Sequence, residues 1–199
     1  MKSEREQQQG DDKDGLISQA RAFAIAAHDA VNQRRKYSGA PYWVHPQAVA
    51  GRVAKVSDDQ TMIAAAWLHD VLEDTPVTAP QLRSRFGDRV TSLVIDLTNI
   101  SRYEDGNRAV RKRIDREHTA RAQADAKTIK LADIIDNVSE IVDNDPGFAR
   151  IYLVEKALQI EVLRDGDPRL FRQAQQLIAE GLARLNIRYP GSQPLLGEQ

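Results

Sequence analysis

Cysteine is absent from the 199 residues, which removes three chemistries at once: a disulfide framework, a Cys-based zinc site and a thiol nucleophile. Any metal must therefore be held by histidine and carboxylates. Long apolar runs are also lacking. None approaches the roughly 20 residues that span a bilayer, and the polar start Met1-Lys2-Ser3-Glu4-Arg5 has no signal-peptide core. The sequence thus points to a cytoplasmic protein with no membrane partner. A surplus of either charge is missing as well. The 28 Lys and Arg stand against 29 Asp and Glu, for a net charge of −1, which argues against nucleic acid as a partner, since that binding needs a basic face. Local basic clusters remain able to hold a phosphorylated small molecule.

What is there favours one helical domain. With 41% apolar residues the chain can bury a core of ordinary size. Residues 1–13, rich in Gln, Glu, Asp and Lys, and the Pro- and Gly-containing tail 189–199 have little to bury and read as flexible segments around a domain over 14–188. Apolar residues recur at helical spacing, beginning with Leu16, Ala20, Phe23, Ala27 and Val31 on one face of a first helix. No alternating strand is evident. Asp59 precedes a long Ala-rich helix, Thr78-Ala79-Pro80-Gln81 has the form of a capping box, and Gly87-Asp88 closes one helix and opens the next. Asp145-Pro146 and Asp167-Pro168 each open another. The expectation is an all-α fold, a compact bundle of about eight helices. The last helix, with Leu170, Leu177, Ile178 and Leu182, can serve the core or an interface between copies, so a homo-oligomer stays open.

The densest chemistry lies in Trp67-Leu68-His69-Asp70-Val71-Leu72-Glu73-Asp74. On a helix with His69 at zero, Glu73 falls at about 40°, Asp70 at about 100° and Asp74 at about 140°, so all four share one side. Ala65, Leu68, Val71 and Leu72 take the opposite arc, where they can be buried. Carboxylates gathered on one face without a cation or proton are electrostatically costly, so something positive belongs there. His45, in Pro41-Tyr42-Trp43-Val44-His45-Pro46, and Asp133, an acid interrupting the apolar stretch Lys130-Leu131-Ala132-Asp133, are two further candidates, though either can be a helix-terminus residue. Two histidines with two carboxylates suit Mn²⁺, Fe²⁺ or Zn²⁺ better than Ca²⁺.

Three strings in this order, Arg35-Lys36-Tyr37-Ser38-Gly39-Ala40-Pro41-Tyr42-Trp43-Val44-His45-Pro46, then Trp67 to Thr75, then Lys130 to Asp133, resemble the hydrolase domain of the Rel/Spo alarmone enzymes. The similarity extends over about residues 15 to 145 and is strongest to the stand-alone small alarmone hydrolases of the HD superfamily. It implies an HD phosphohydrolase domain in which His45, His69, Asp70 and Asp133 hold one divalent ion, Mn²⁺, while Glu73 and Asp74 serve the water that attacks phosphorus. It further implies nucleotide contacts from Arg35 and Lys36, whose planar guanidinium in Arg35 suits stacking on a base, from Tyr42 beside the pocket, and from Asn137, one turn beyond Asp133. The implied reaction removes the 3′-pyrophosphate of ppGpp or pppGpp. With no synthetase region within these residues, the expectation is degradation only.

The departures bear on substrate. After Asp133 the resemblance calls for a basic residue, whereas Ile134-Ile135-Asp136-Asn137-Val138-Ser139 follows. The basic stretch between Asn99 and His118, with Arg108, Arg111, Lys112, Arg113 and Arg116, is either a solvated helix or a phosphate-facing one in which Arg108 or Arg111 supplies a forked phosphate contact. Alternatives are therefore an adenine alarmone, the 2′-phosphate of NADPH or a nucleoside monophosphate as substrate, or a nucleotide sensor without turnover. Of the two remaining histidines, His28 reads as a helix-packing residue and His118 as a surface one.

Overall fold

Helical periodicity decides the local structure. A computed structural model describes the backbone of residues 2–188 and the side chains of residues 15–186; the segments 1–13 and 189–199 expected to be flexible lie outside the described side chains. Among the described residues there is no strand, only an isolated antiparallel bridge between Arg34 and Pro41. Two units divide the chain, residues 1–99 and 100–199.

The first unit contains α1 (Lys2–Ala30), α2 (Val44–Val53), α3 (Gln60–Leu68), α4 (Val71–Asp74) and α5 (Ala79–Leu97). Helix α3 is its centre, packed against α1, α2 and α5, and every residue from Met62 to Leu68 is buried. The cap signals are borne out. Asp59 accepts a hydrogen bond from the Thr61 amide at 2.8 Å, the Gln81 side chain accepts from the Thr78 amide at 2.8 Å, and Gly87 kinks α5 with φ 79°, a left-handed value that glycine adopts without a Cβ clash.

Two details differ from the sequence expectation. The buried line of α1 runs through Ala20, Ala24 and His28, each 0% exposed, while Val31 is 39% exposed and lies past the helix end. Asn32 adopts φ 51°, a left-handed conformation asparagine tolerates at helix ends, and turns the chain out of α1 so that the Gln33 amide donates to the His28 carbonyl at 3.1 Å. The second difference lies in the single helix expected through Trp67 and Asp74, which is interrupted at His69 and Asp70. The His69 ring nitrogen Nδ1 sits 2.9 Å from the Ala66 carbonyl, the group that the Asp70 amide would use in a continuous helix. Asp70 has φ −100° and ψ −5°. Residues Leu68 and Val71 of the apolar arc remain fully buried.

The second unit contains α6 (Arg108–Ala120), α7 (Ala124–Asn144), α8 (Pro146–Ile160) and α9 (Pro168–Arg188). Helix α7 packs on α8 and α9, with Ile129, Leu131, Ile134 and Ile135 at 1% exposure or less. Asp145 caps α8 by accepting from the Phe148 amide, and Asp167 accepts from the Arg169 and Leu170 amides. On α9, Leu170 and Ile178 are buried in the unit and Leu177 and Leu182 are half-buried. The basic stretch forms α6, an exposed helix that buries only Asp115 and Thr119. Asp115 accepts bonds from the Ile100 and Ser101 amides and the Ser101 hydroxyl, anchoring the incoming loop. Near Gly166 the backbone passes close to α7: a Cβ there would stand 2.9 Å from Leu131 Cδ1 and 3.1 Å from the Lys127 carbonyl carbon. Gly166→Ala should therefore cost about 1–3 kcal/mol, read in urea as a lower midpoint with an unchanged slope.

Candidate active site

His45 enters from the first turn of α2, and His69 and Asp70 from the break between α3 and α4. These three offer ligand atoms that all lie within 4.8 Å of one another. His45 Nε2 is 3.6 Å and His69 Nε2 3.0 Å from the same oxygen, Asp70 Oδ2. Both imidazoles are 1% exposed. A carbonyl oxygen can only accept, so the contact with Ala66 places the His69 proton on Nδ1 and leaves Nε2 with a bare lone pair in the neutral ring. That lone pair meets a carboxylate oxygen at 3.0 Å, an arrangement that needs a cation or a second proton between the two atoms. The donor set therefore fits a divalent ion, with the Ala66 carbonyl fixing the ring as outer partners of metal-bound histidines do. Tyr42 donates its hydroxyl to the same Asp70 oxygen at 2.6 Å and sits between the His28 and His45 rings.

One turn further, Glu73 and Asp74 are exposed on α4, and each is held by a side-chain amide. Asn99 donates from its backbone nitrogen to Glu73 Oε1 and from Nδ2 to Oε2, both at 2.8 Å. Gln33 Nε2 donates to Asp74 Oδ2 at 2.9 Å. Partial desolvation pushes the Asp74 carboxyl above its usual range and the Asp70 charge adds to this, while hydrogen bonds from Gln33 and Tyr42 act in the opposite direction. Arg35 and Lys36 lie on a tight loop closed by bonds between Arg35 and both Gly39 and Ala40; Gly39 there has φ 68°. The Lys36 ammonium lies 4.9 Å from the centre of the Tyr37 ring.

In the second unit Asp133 is 6% exposed and both its oxygens are engaged, Oδ2 by the Lys130 ammonium at 3.0 Å and Oδ1 by Asn137 Nδ2 at 2.6 Å. The two positions singled out on α7 are thus brought together. Burial, with Lys130 nearby, pushes the Lys156 ammonium down to about 8. Arg108 already uses its fork on Glu155, with bonds of 2.6 and 2.8 Å, and its guanidinium carbon lies 5.1 Å from the centre of the Phe148 ring. Arg111 stands over the Tyr103 ring at 5.6 Å.

The HD domain family matches residues 20–176, most of the chain and parts of both units. The chain belongs to the HD domain family. Among known proteins, this HD-domain chain is 36% identical over 123 residues to the guanosine-3′,5′-bis(diphosphate) 3′-pyrophosphohydrolase of Aquifex aeolicus, a stretch covering 61% of this chain and 17% of that protein. It is 28% identical over 184 residues to the GTP pyrophosphokinase rsh of Brucella ovis, covering 90% of this chain and 23% of that protein. The chain thus spans less than a quarter of the length of either of these curated relatives. A solved structure of a metazoan ortholog of SpoT that hydrolyzes ppGpp superposes with a TM-score of 0.73 at 28% identity, over 83% of this chain and 94% of that one.

Sequence reasoning singled out His45, His69 and Asp70, which the structure brings together, but did not connect Asn99 or Gln33 with Glu73 and Asp74, and it read His28 as a packing residue without its bond to Gln33. Asn99 is 26 residues from Glu73 and Gln33 is 41 from Asp74, so no local spacing connects them. The one available signal was His28 itself, a polar residue in register with the buried alanines of α1.

Proposed function

We propose that this protein hydrolyses the 3′-pyrophosphate of ppGpp and pppGpp in a metal-dependent reaction, with Mn²⁺ as the ion. The observation that carries the reaction class is the His45, His69 and Asp70 cluster with two amide-held carboxylates one turn away. The similarity to ppGpp hydrolases supports the substrate. A divalent ion bound there would supply hydroxide near neutral pH and polarise a phosphoryl oxygen. Glu73 and Asp74 orient the attacking water and take its proton. The oxygen of water forms a bond to the phosphorus carried on the 3′-oxygen, the bond between that phosphorus and the 3′-oxygen breaks, and the 3′-oxygen gains a proton. The products are GDP or GTP and pyrophosphate.

Asp133 is proposed as a further metal ligand on the order of the motifs, and its test is the metal content of Asp133→Asn. Arg35, Lys36, Tyr42, Asn137, Arg108 and Arg111 are proposed to contact the nucleotide. For Arg108 this means releasing Glu155, so unchanged Michaelis constants in Arg108→Ala and Arg111→Ala would remove these two from the set. The reaction itself is tested by incubating purified protein with ppGpp and Mn²⁺ and separating products by ion exchange. Equimolar GDP and pyrophosphate is the expected result. Release of phosphate from NADPH or a nucleoside monophosphate, with ppGpp untouched, would replace the proposed substrate.

A further inference from the structure

The His28 side chain is fully buried on α1, and its ring makes one hydrogen bond among the described residues: Nδ1 lies 2.7 Å from Gln33 Oε1, while Nε2 is buried without a hydrogen-bond partner. A polar ring with no exposed surface is costly unless it is hydrogen-bonded, and here only one of its two nitrogens is. Gln33, in turn, has its amide nitrogen 2.9 Å from Asp74 Oδ2. An ionised carboxylate only accepts, so Asp74 fixes which end of the Gln33 amide faces it. The carbonyl end must then face His28, which places the His28 proton on Nδ1. Each member of the chain dictates the orientation of the next.

From this we infer that His28 and Gln33 form a positioning pair that acts through Asp74. The pair holds Asp74 Oδ2, and the Tyr42 hydroxyl also bonds this carboxylate. Glu73 is held separately, with both oxygens bonded by Asn99. His28 and Gln33 touch neither water nor nucleotide in this scheme. The inference rests on the proposed role of Asp74 in hydrolysis.

Gln33 is half-buried, so Gln33→Met should fold. It should lower kcat by roughly 10- to 100-fold, the scale expected when a reacting group is misplaced, with KM and bound Mn²⁺ unchanged. In an Asp74→Asn background the same substitution should lower kcat no further, because there is no longer a carboxylate to position. His28→Asn, which keeps a donor near the Nδ1 position, should retain more activity than His28→Phe. A second readout needs no turnover. Proton NMR of the metal-free wild-type protein should show a slowly exchanging His28 Nδ1–H that disappears in Gln33→Met. Wild-type kcat in Gln33→Met, a full additional loss in the Asp74→Asn background, or a His28 proton on Nε2 would each overturn the pair. If wild-type protein leaves ppGpp intact, the proposed reaction fails on its own account and the pair is decided by the His28 resonance.

Discussion

Asp70→Ala is expected to release the metal and abolish turnover. Asp70 Oδ2 is the atom that both His45 Nε2 and His69 Nε2 approach, so its removal takes away the only carboxylate of the three-residue cluster and the negative charge that favours a cation there. Loss of a group that merely orients a ligand costs about 10- to 100-fold in metal affinity, and removal of a ligand should exceed that. Elemental analysis of the purified variant reads the effect directly, with hydrolysis measured in parallel. The fold should persist, because the Asp70 side chain is partly exposed and the adjacent core positions Leu68 and Val71 are untouched. A variant with wild-type metal content would mean that the cluster does not hold the ion.

Glu73→Gln and Asp74→Asn should separate chemistry from metal binding. Each is expected to lower kcat by about 10²- to 10⁴-fold, the range associated with a positioned acid or base, while Mn²⁺ content stays at the wild-type level. Glu73→Gln additionally presents an amide nitrogen to one of the two Asn99 donors, so its carboxamide will not sit where the carboxylate did. Asp74→Asn removes a carboxyl whose partial desolvation and proximity to Asp70 already favour proton uptake. Steady-state kinetics together with metal analysis checks both. Retention of wild-type kcat by either variant would strike that residue from the reaction.

The fold was legible in the sequence wherever a local signal existed. Asp59, Thr78, Gly87, Asp145 and Asp167 mark helix ends through side chains that bond to amides two or three residues away or through a backbone angle glycine favours, and such chemistry needs no knowledge of the rest of the chain. The helical wheel also placed His69 and Asp70 on one side correctly. It could not show that the helix would break at His69 and Asp70 with the His69 ring against the Ala66 carbonyl, since that arrangement is settled in three dimensions. Val31 was misread for a similar reason: the spacing continues past Ala30, but Asn32 turns the chain away. The supports of the candidate site were the least visible part. Asn99 and Gln33 reach Glu73 and Asp74 from distant segments, and His28 looked like ordinary core because its ring's one hydrogen bond goes to a residue in the following loop.

The proposed reaction requires a divalent ion in the His45, His69 and Asp70 cluster. Its most direct test is to strip purified protein with a chelator, restore Mn²⁺ in steps, and follow release of pyrophosphate from ppGpp. Turnover that vanishes on stripping and returns in proportion to bound Mn²⁺, reaching saturation near one ion per chain, is the predicted result. Pyrophosphate release that is unaffected by the chelator, or none at any Mn²⁺ level in folded protein, would contradict it.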